Sequence, residues 1–72
     1  MNDPLRHIGL EILRARTELC LTQADLAKEA KVRCNNVGYI EAGSSEGSFL
    51  KVARICRVLG ISLDKLMKEI DG

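Results

Sequence analysis

The chain has 72 residues, a formal charge of +1 and 46% apolar side chains, with one Phe, one Tyr and no Trp. That composition describes one small domain with an aliphatic core, of a size that buries only about 60% of its unfolded surface. No apolar run reaches the length of a membrane span and no signal-peptide pattern opens the chain. The near-neutral charge argues against strong non-specific affinity for nucleic acid, so any such contact has to come from a local patch.

Cys20, Cys34 and Cys56 are odd in number and widely spaced, and His7 is the single histidine. Neither a disulfide framework nor a zinc site fits that pattern, so reduced thiols in a cytoplasmic protein are expected. No nucleophile paired with a base and no usefully spaced carboxylates appear. The expectation is a non-enzyme without metal, cofactor or small-molecule ligand.

In chain order, Asp3-Pro4 starts a first helix, with Asp as the cap and Pro in the first turn. It runs to about Leu19, with Leu5, Ile8, Ile12, Ala15 and Leu19 on one core-facing stripe. Leu10 and Leu13 fall off the stripe, either simply exposed or forming a contact patch. Thr22 caps a second helix, and Asp25 three residues on completes an acidic capping box. This helix runs to Glu29 or Ala30, with Leu26, Ala27 and Ala30 facing inward; the small Ala27 permits a close crossing by the next helix. A third helix covers about Arg33 to Ala42, is held by Val37 and Ile40, and stops at Gly43. Ser44-Ser45-Glu46-Gly47 forms the one clear loop.

Ser48 caps a fourth helix, whose core face reads Phe49, Val52, Ala53, Cys56 and Leu59, and Gly60 ends it. Ser62 caps a fifth, with Leu63, Leu66, Met67 and Ile70 on its apolar side. The fold class is all-α, a compact five-helix bundle forming one domain over residues 1–72. Two short helices joined by a tight turn over residues 22–42 form a helix-turn-helix, the geometry of a DNA-reading unit.

The order Leu21-Thr22-Gln23, Leu26-Ala27, Val32, Val37, Ile40-Glu41, Gly43 and Leu59-Gly60-Ile61-Ser62-Leu63-Asp64-Lys65-Leu66 resembles the Cro/C1-type (XRE-like) helix-turn-helix family of phage repressors, controller proteins and antitoxins. The resemblance spans most of the chain, from Ile8-Gly9 to Met67. It implies a lambda-repressor-like DNA-binding domain and a bacterial or phage-encoded, nucleoid-associated regulator. It also implies an ion pair between Arg16 and Glu41 that fixes the third helix against the first. By the same resemblance Gln23 reaches a DNA phosphate and braces the start of the third helix. Base reading falls to Arg33, Cys34, Asn35, Asn36 and Tyr39. Asn suits adenine, Arg suits guanine or phosphate, and Tyr39 suits a phosphate or a thymine methyl. Phosphate contacts are expected from Thr22, Gln23, Ser44, Ser45 and Lys51.

Three departures from the family pattern stand out. Arg33 occupies the place of a capping Ser or Thr. Gly38 sits inside a helix at a cost of about 1 kcal/mol relative to Ala. The loop after Gly43 carries Ser44, Ser45 and Glu46 where relatives often carry Lys or Arg; the nearest cations are Lys28, Lys31, Arg33 and Lys51. The expected partner is a double-stranded, pseudo-palindromic DNA operator bound by a homodimer, with Ile61, Leu63, Met67 and Ile70 at the dimer interface and Leu10 and Leu13 in reserve. The alternative is a protein-interaction module on the same scaffold with weak or no DNA binding, a reading favoured by a loop without positive charge and by the near-neutral net charge.

Overall fold

The computed structural model describes residues 4–43 and 49–71, and the side chains among them except at 67 and 69–71. Five helices follow one another: α1 (Pro4–Glu18), α2 (Gln23–Ala30), α3 (Cys34–Glu41), α4 (Phe49–Leu59) and α5 (Leu63–Asp71). No strand occurs among the described residues. The caps expected at Asp3 and Ser48, and the loop at Ser44 and Ser45, lie outside the described residues.

Local chemistry sets the helix boundaries. The Thr22 hydroxyl accepts from the Asp25 N–H at 3.0 Å, and the Thr22 N–H donates to the Asp25 carboxylate at 3.1 Å, so the expected capping box closes in both directions. A cap of this kind stabilises a helix by about 1 kcal/mol. Ser62 accepts from the Lys65 N–H at 3.3 Å and starts α5 in the same manner. Arg33 precedes α3 in extended conformation without a side-chain cap, as its replacement of Ser or Thr implies.

Three helices end alike. Cys20, Lys31 and Gly60 have positive φ of 59°, 58° and 73°. The next residue in each case donates back across the last turn: Leu21 to Arg16, Val32 to Ala27 and Ile61 to Cys56, at 3.1, 2.9 and 2.9 Å. These bonds satisfy carbonyls that a helix end leaves open. Only one of the three left-handed residues is the glycine that such a turn favours.

The core is one cluster drawn from all five helices: Ile12 from α1; Leu26, Ala27 and Ala30 from α2; Val37 and Ile40 from α3; Ile55 and Cys56 from α4; and Leu66 from α5. Ile8, Val32, Val52, Val58, Leu59, Ile61 and Leu63 pack around it. Each fully buried aliphatic side chain contributes about 1.5–3 kcal/mol relative to exposure.

Two expected stripes are corrected at their ends. Leu5 is exposed in the first turn of α1, and Leu19 is exposed just past its last residue, Glu18. Phe49, expected on the core face of α4, is 72% exposed at the first position of that helix, whereas the unassigned Ile55 is fully buried. Leu10 and Leu13 are exposed, as their positions off the stripe imply.

Candidate nucleic-acid interface

The third helix is mounted on the first through a backbone contact and a charged network. At Gly9 of α1 an added Cβ would overlap the carbonyl oxygen of Ile40 and lie 2.6 Å from that of Glu41. Only a glycine lets the two helix backbones approach so closely. Gly9 was not singled out for this role from sequence, since a glycine inside a helical stripe gives no periodic signal.

Arg16 then closes the contact. Its Nε donates to Glu41 Oε2 at 2.6 Å, its second terminal nitrogen to Glu41 Oε1 at 3.2 Å, and its first to the Leu21 carbonyl at 2.8 Å. Paired guanidinium–carboxylate bonds of this kind fix orientation as well as distance. The Arg16 and Glu41 side chains are 15% and 6% exposed, so the expected ion pair is formed away from most solvent screening.

Gln23 joins the same network. Its Nε2 donates to Glu41 Oε1 at 2.9 Å. This corrects the expectation that Gln23 braces the start of α3, because it braces the end. The tight turn at Lys31–Arg33 sets the end of α2 beside the start of α3, which leaves the start of α2 beside the far end of α3. Glu41 therefore accepts from α1 and from α2 at once.

With Val37 and Ile40 buried, the outward face of α3 carries Asn35 and Tyr39, and Cys34 is exposed at its first position. Gly38 lies on the flank toward α2, where an added Cβ would sit 3.8 Å from Gln23 Oε1, in ordinary contact. No internal crowding therefore requires glycine at this position. Asn36 is half-buried on the opposite flank, toward α4.

That second flank opens into a concavity lined by Lys31, Val32, Arg33, Asn36, Lys51 and Arg54. It continues past Lys31 and Arg54 to Arg57, Val58, Ala30 and Glu29. Of the expected site residues it gathers Arg33, Asn36 and Lys51, together with Lys31, expected as a basic supplement to the loop, and it adds Arg54, which the sequence did not single out. The signal was present in the sequence as Lys51, Arg54 and Arg57 at three-residue steps, which put three cations on one side of α4. Burial pushes the Cys56 thiol up from its ordinary pKa, as befits a core residue, while Cys20 and Cys34 are exposed.

A short helix clamped at its C-terminal end, with a polar outward face between a helix N-terminus and a basic concavity, defines a helix-turn-helix nucleic-acid-binding unit. The family model described as Helix-turn-helix matches residues 12–66, and the chain belongs to that family in its Cro/C1 (XRE-like) form. This membership makes it a DNA-binding transcriptional regulator.

Solved structures agree on the fold. The wild-type restriction-modification controller protein C.Esp1396I is similar at 25% identity and a TM-score of 0.76, with each chain covered over 100% of its length. A point mutant of the same controller protein is similar at 26% identity and a TM-score of 0.77, over 96% of this chain and 95% of that one. ClgR, the clp gene regulator from Corynebacterium glutamicum, shares the fold at 24% identity and a TM-score of 0.77, over 92% of this chain and 70% of its own. No curated protein matches the sequence. No described helix is long and apolar enough to cross a membrane.

Proposed function

We propose that the chain is a sequence-specific regulator that binds a pseudo-palindromic operator as a homodimer, with α3 in the major groove. The observation that carries this reading is the exposure of Asn35 and Tyr39 on a helix that is buried through Val37 and Ile40 and fixed at its far end by Gly9, Arg16 and Gln23. A rigidly held polar face suits base reading, because bidentate hydrogen bonds to base edges tolerate little misplacement. Asn35 is the principal reader, suited to adenine, with Cys34, Asn36 and Tyr39 beside it. Thr22 and Gln23, at the N-terminus of α2, meet phosphates; contacts of this kind set register without reading sequence. The restriction-modification controller protein that shares this fold supports a regulatory setting.

One such module offers DNA a modest interface. A dimer doubles it by placing two reading helices in successive major grooves about 34 Å apart. Its interface is assigned to Ile61, Leu63, Met67 and Ile70. Ile61 and Leu63 also pack against the monomer's core, and the side chains of Met67 and Ile70 lie outside the described set. The exposed Leu10 and Leu13 on α1 are the reserve surface.

In vitro selection from a random duplex pool tests the reading. The expected product is an inverted repeat with half-sites one helical turn apart. Asn35→Ala then relaxes preference at one base pair in each half-site, by about 1–3 kcal/mol. A pool that enriches no sequence, together with DNA affinity that stays negligible from 50 to 200 mM salt, the range over which phosphate contacts show themselves, would instead support a protein-interaction module.

A further inference from the structure

A reading helix in a major groove about 12 Å wide lies between the phosphate backbones of both strands. α3 has two different flanks to offer them. On one side of Asn35 and Tyr39 stand Gly38 and Gln23, close enough that a Cβ on Gly38 would touch the Gln23 amide. On the other side Asn36 opens into the concavity shared with Lys31, Arg33, Lys51 and Arg54. Four cations line that part of the concavity, and no carboxylate does so among the described residues. The ion pairs Arg14–Glu11 and Arg16–Glu41 leave Lys31, Arg33 and Arg54 without a carboxylate partner among the described residues. The one acid nearby, Glu29, stands at the far end beyond Lys31 and Arg54.

We propose that this concavity seats the phosphates of one DNA strand while Thr22 and Gln23 meet those of the other; the assignment rests on the DNA-binding reading above. It gives Arg33 a different task from base reading. Placed at the lip of the concavity, ahead of the first turn of α3, its guanidinium faces the backbone and pairs with phosphate. Lys31 is brought there by its left-handed conformation at the end of α2, which turns the chain into the space beside α4. Arg54 comes from the middle of α4, one turn after Lys51. The concavity thus supplies the positive charge that Ser44, Ser45 and Glu46 do not carry in sequence. A duplex is favoured over an acidic protein because the concavity is continuous with the polar reading face through Asn36 and abuts the start of α3 at Arg33.

The test is fluorescence-anisotropy titration of a labelled random-sequence duplex at several salt concentrations. It compares the unmodified chain, Arg54→Gln, Lys31→Gln, the double variant and Lys65→Gln. Lys65 is an exposed cation on α5, remote in sequence from both flanks. All substituted positions are exposed, and circular dichroism checks that each variant is folded. Each lost phosphate contact makes the slope of log K against log salt shallower by about 0.9, so the double variant should lose about 1.8 while Lys65→Gln matches the unmodified chain. A salt-dependent unmodified chain whose slope is unchanged in Arg54→Gln and Lys31→Gln would overturn the assignment, leave DNA binding intact and point the concavity toward an acidic protein. An unmodified chain that shows no affinity for DNA at any salt would overturn both readings.

Discussion

Gly9 of α1 and Ile40 of α3 meet backbone to backbone. A methyl group at Gly9 would overlap the Ile40 carbonyl oxygen and come within 2.6 Å of the Glu41 carbonyl oxygen as well. Both obstacles are main chain in a helix, so neither can swing aside as a side-chain tip does. Gly9→Ala therefore separates α1 from α3 and strains the pairing of Arg16 with Glu41. The expected cost is about 3 kcal/mol, at the upper end for overpacked cores, and a large share of a small domain's stability. Urea unfolding followed by circular dichroism measures it; a midpoint equal to that of the unmodified chain would contradict the contact.

Gly38 gives the opposite result. A Cβ there meets the Gln23 amide at 3.8 Å, an ordinary contact, and the backbone is helical. Gly38→Ala should stabilise the fold by about 0.5–1 kcal/mol, through the lower conformational entropy of the unfolded chain and the better helix propensity of Ala. If the same variant weakens operator binding despite its greater stability, the glycine serves close approach to DNA.

Glu41 accepts from Arg16 and from Gln23. Glu41→Leu leaves the Arg16 guanidinium, 15% exposed, with the Leu21 carbonyl as its remaining acceptor among the contacts described. Stripping one member from a largely buried pair costs about 3–5 kcal/mol, more than the net worth of the pair. The double substitution Arg16→Met with Glu41→Leu should recover most of that stability, since it removes both charges together. Thermal unfolding of the single and double variants distinguishes the two outcomes.

The capping box makes α2 sensitive to acid. The Thr22 N–H donated to the Asp25 carboxylate is the main reason its pKa lies below the ordinary carboxylate value, the Thr22 side chain adds to this, and Lys28 adds a smaller part against a slight opposing effect of desolvation. A lowered folded-state pKa means stabilisation that is fully present above the ordinary value and lost as pH falls through the lowered one. Asp25→Asn should therefore lower the unfolding temperature at neutral pH, and the gap should begin to narrow near the ordinary carboxylate value of about 4 and close as pH falls through the lowered one. A gap that persists unchanged into acid would show that the charge plays no part.

Much of this arrangement is legible in the sequence, because local chemistry writes it there. Thr22 with Asp25, Ser62, and the glycine at 60 mark helix ends by mechanisms that act within a few residues. The Arg16–Glu41 pair, 25 residues apart, came from family resemblance rather than from any local signal. What escaped was tertiary. Phe49 and Ile55 both fit an apolar stripe on α4, and only the position of the neighbouring helices decides that Ile55 is enclosed and Phe49 is not. The brace from Gln23 reaches the opposite end of α3 because two helices joined by a tight turn match start to end, which residue spacing does not reveal. The basic concavity is assembled from the α2–α3 turn and α4, segments separated by the whole of α3.

The groups that hold α3 in place and the groups it presents outward are almost entirely different residues. Val37, Ile40 and Glu41 anchor it, whereas Cys34, Asn35, Gly38 and Tyr39 take no part in the enclosed core. Specificity can therefore drift without endangering the fold. A library randomised at the three exposed positions Cys34, Asn35 and Tyr39 should retain near-native melting behaviour while sampling new operators, so the chain can be retargeted by rewriting three side chains on an unchanged chassis.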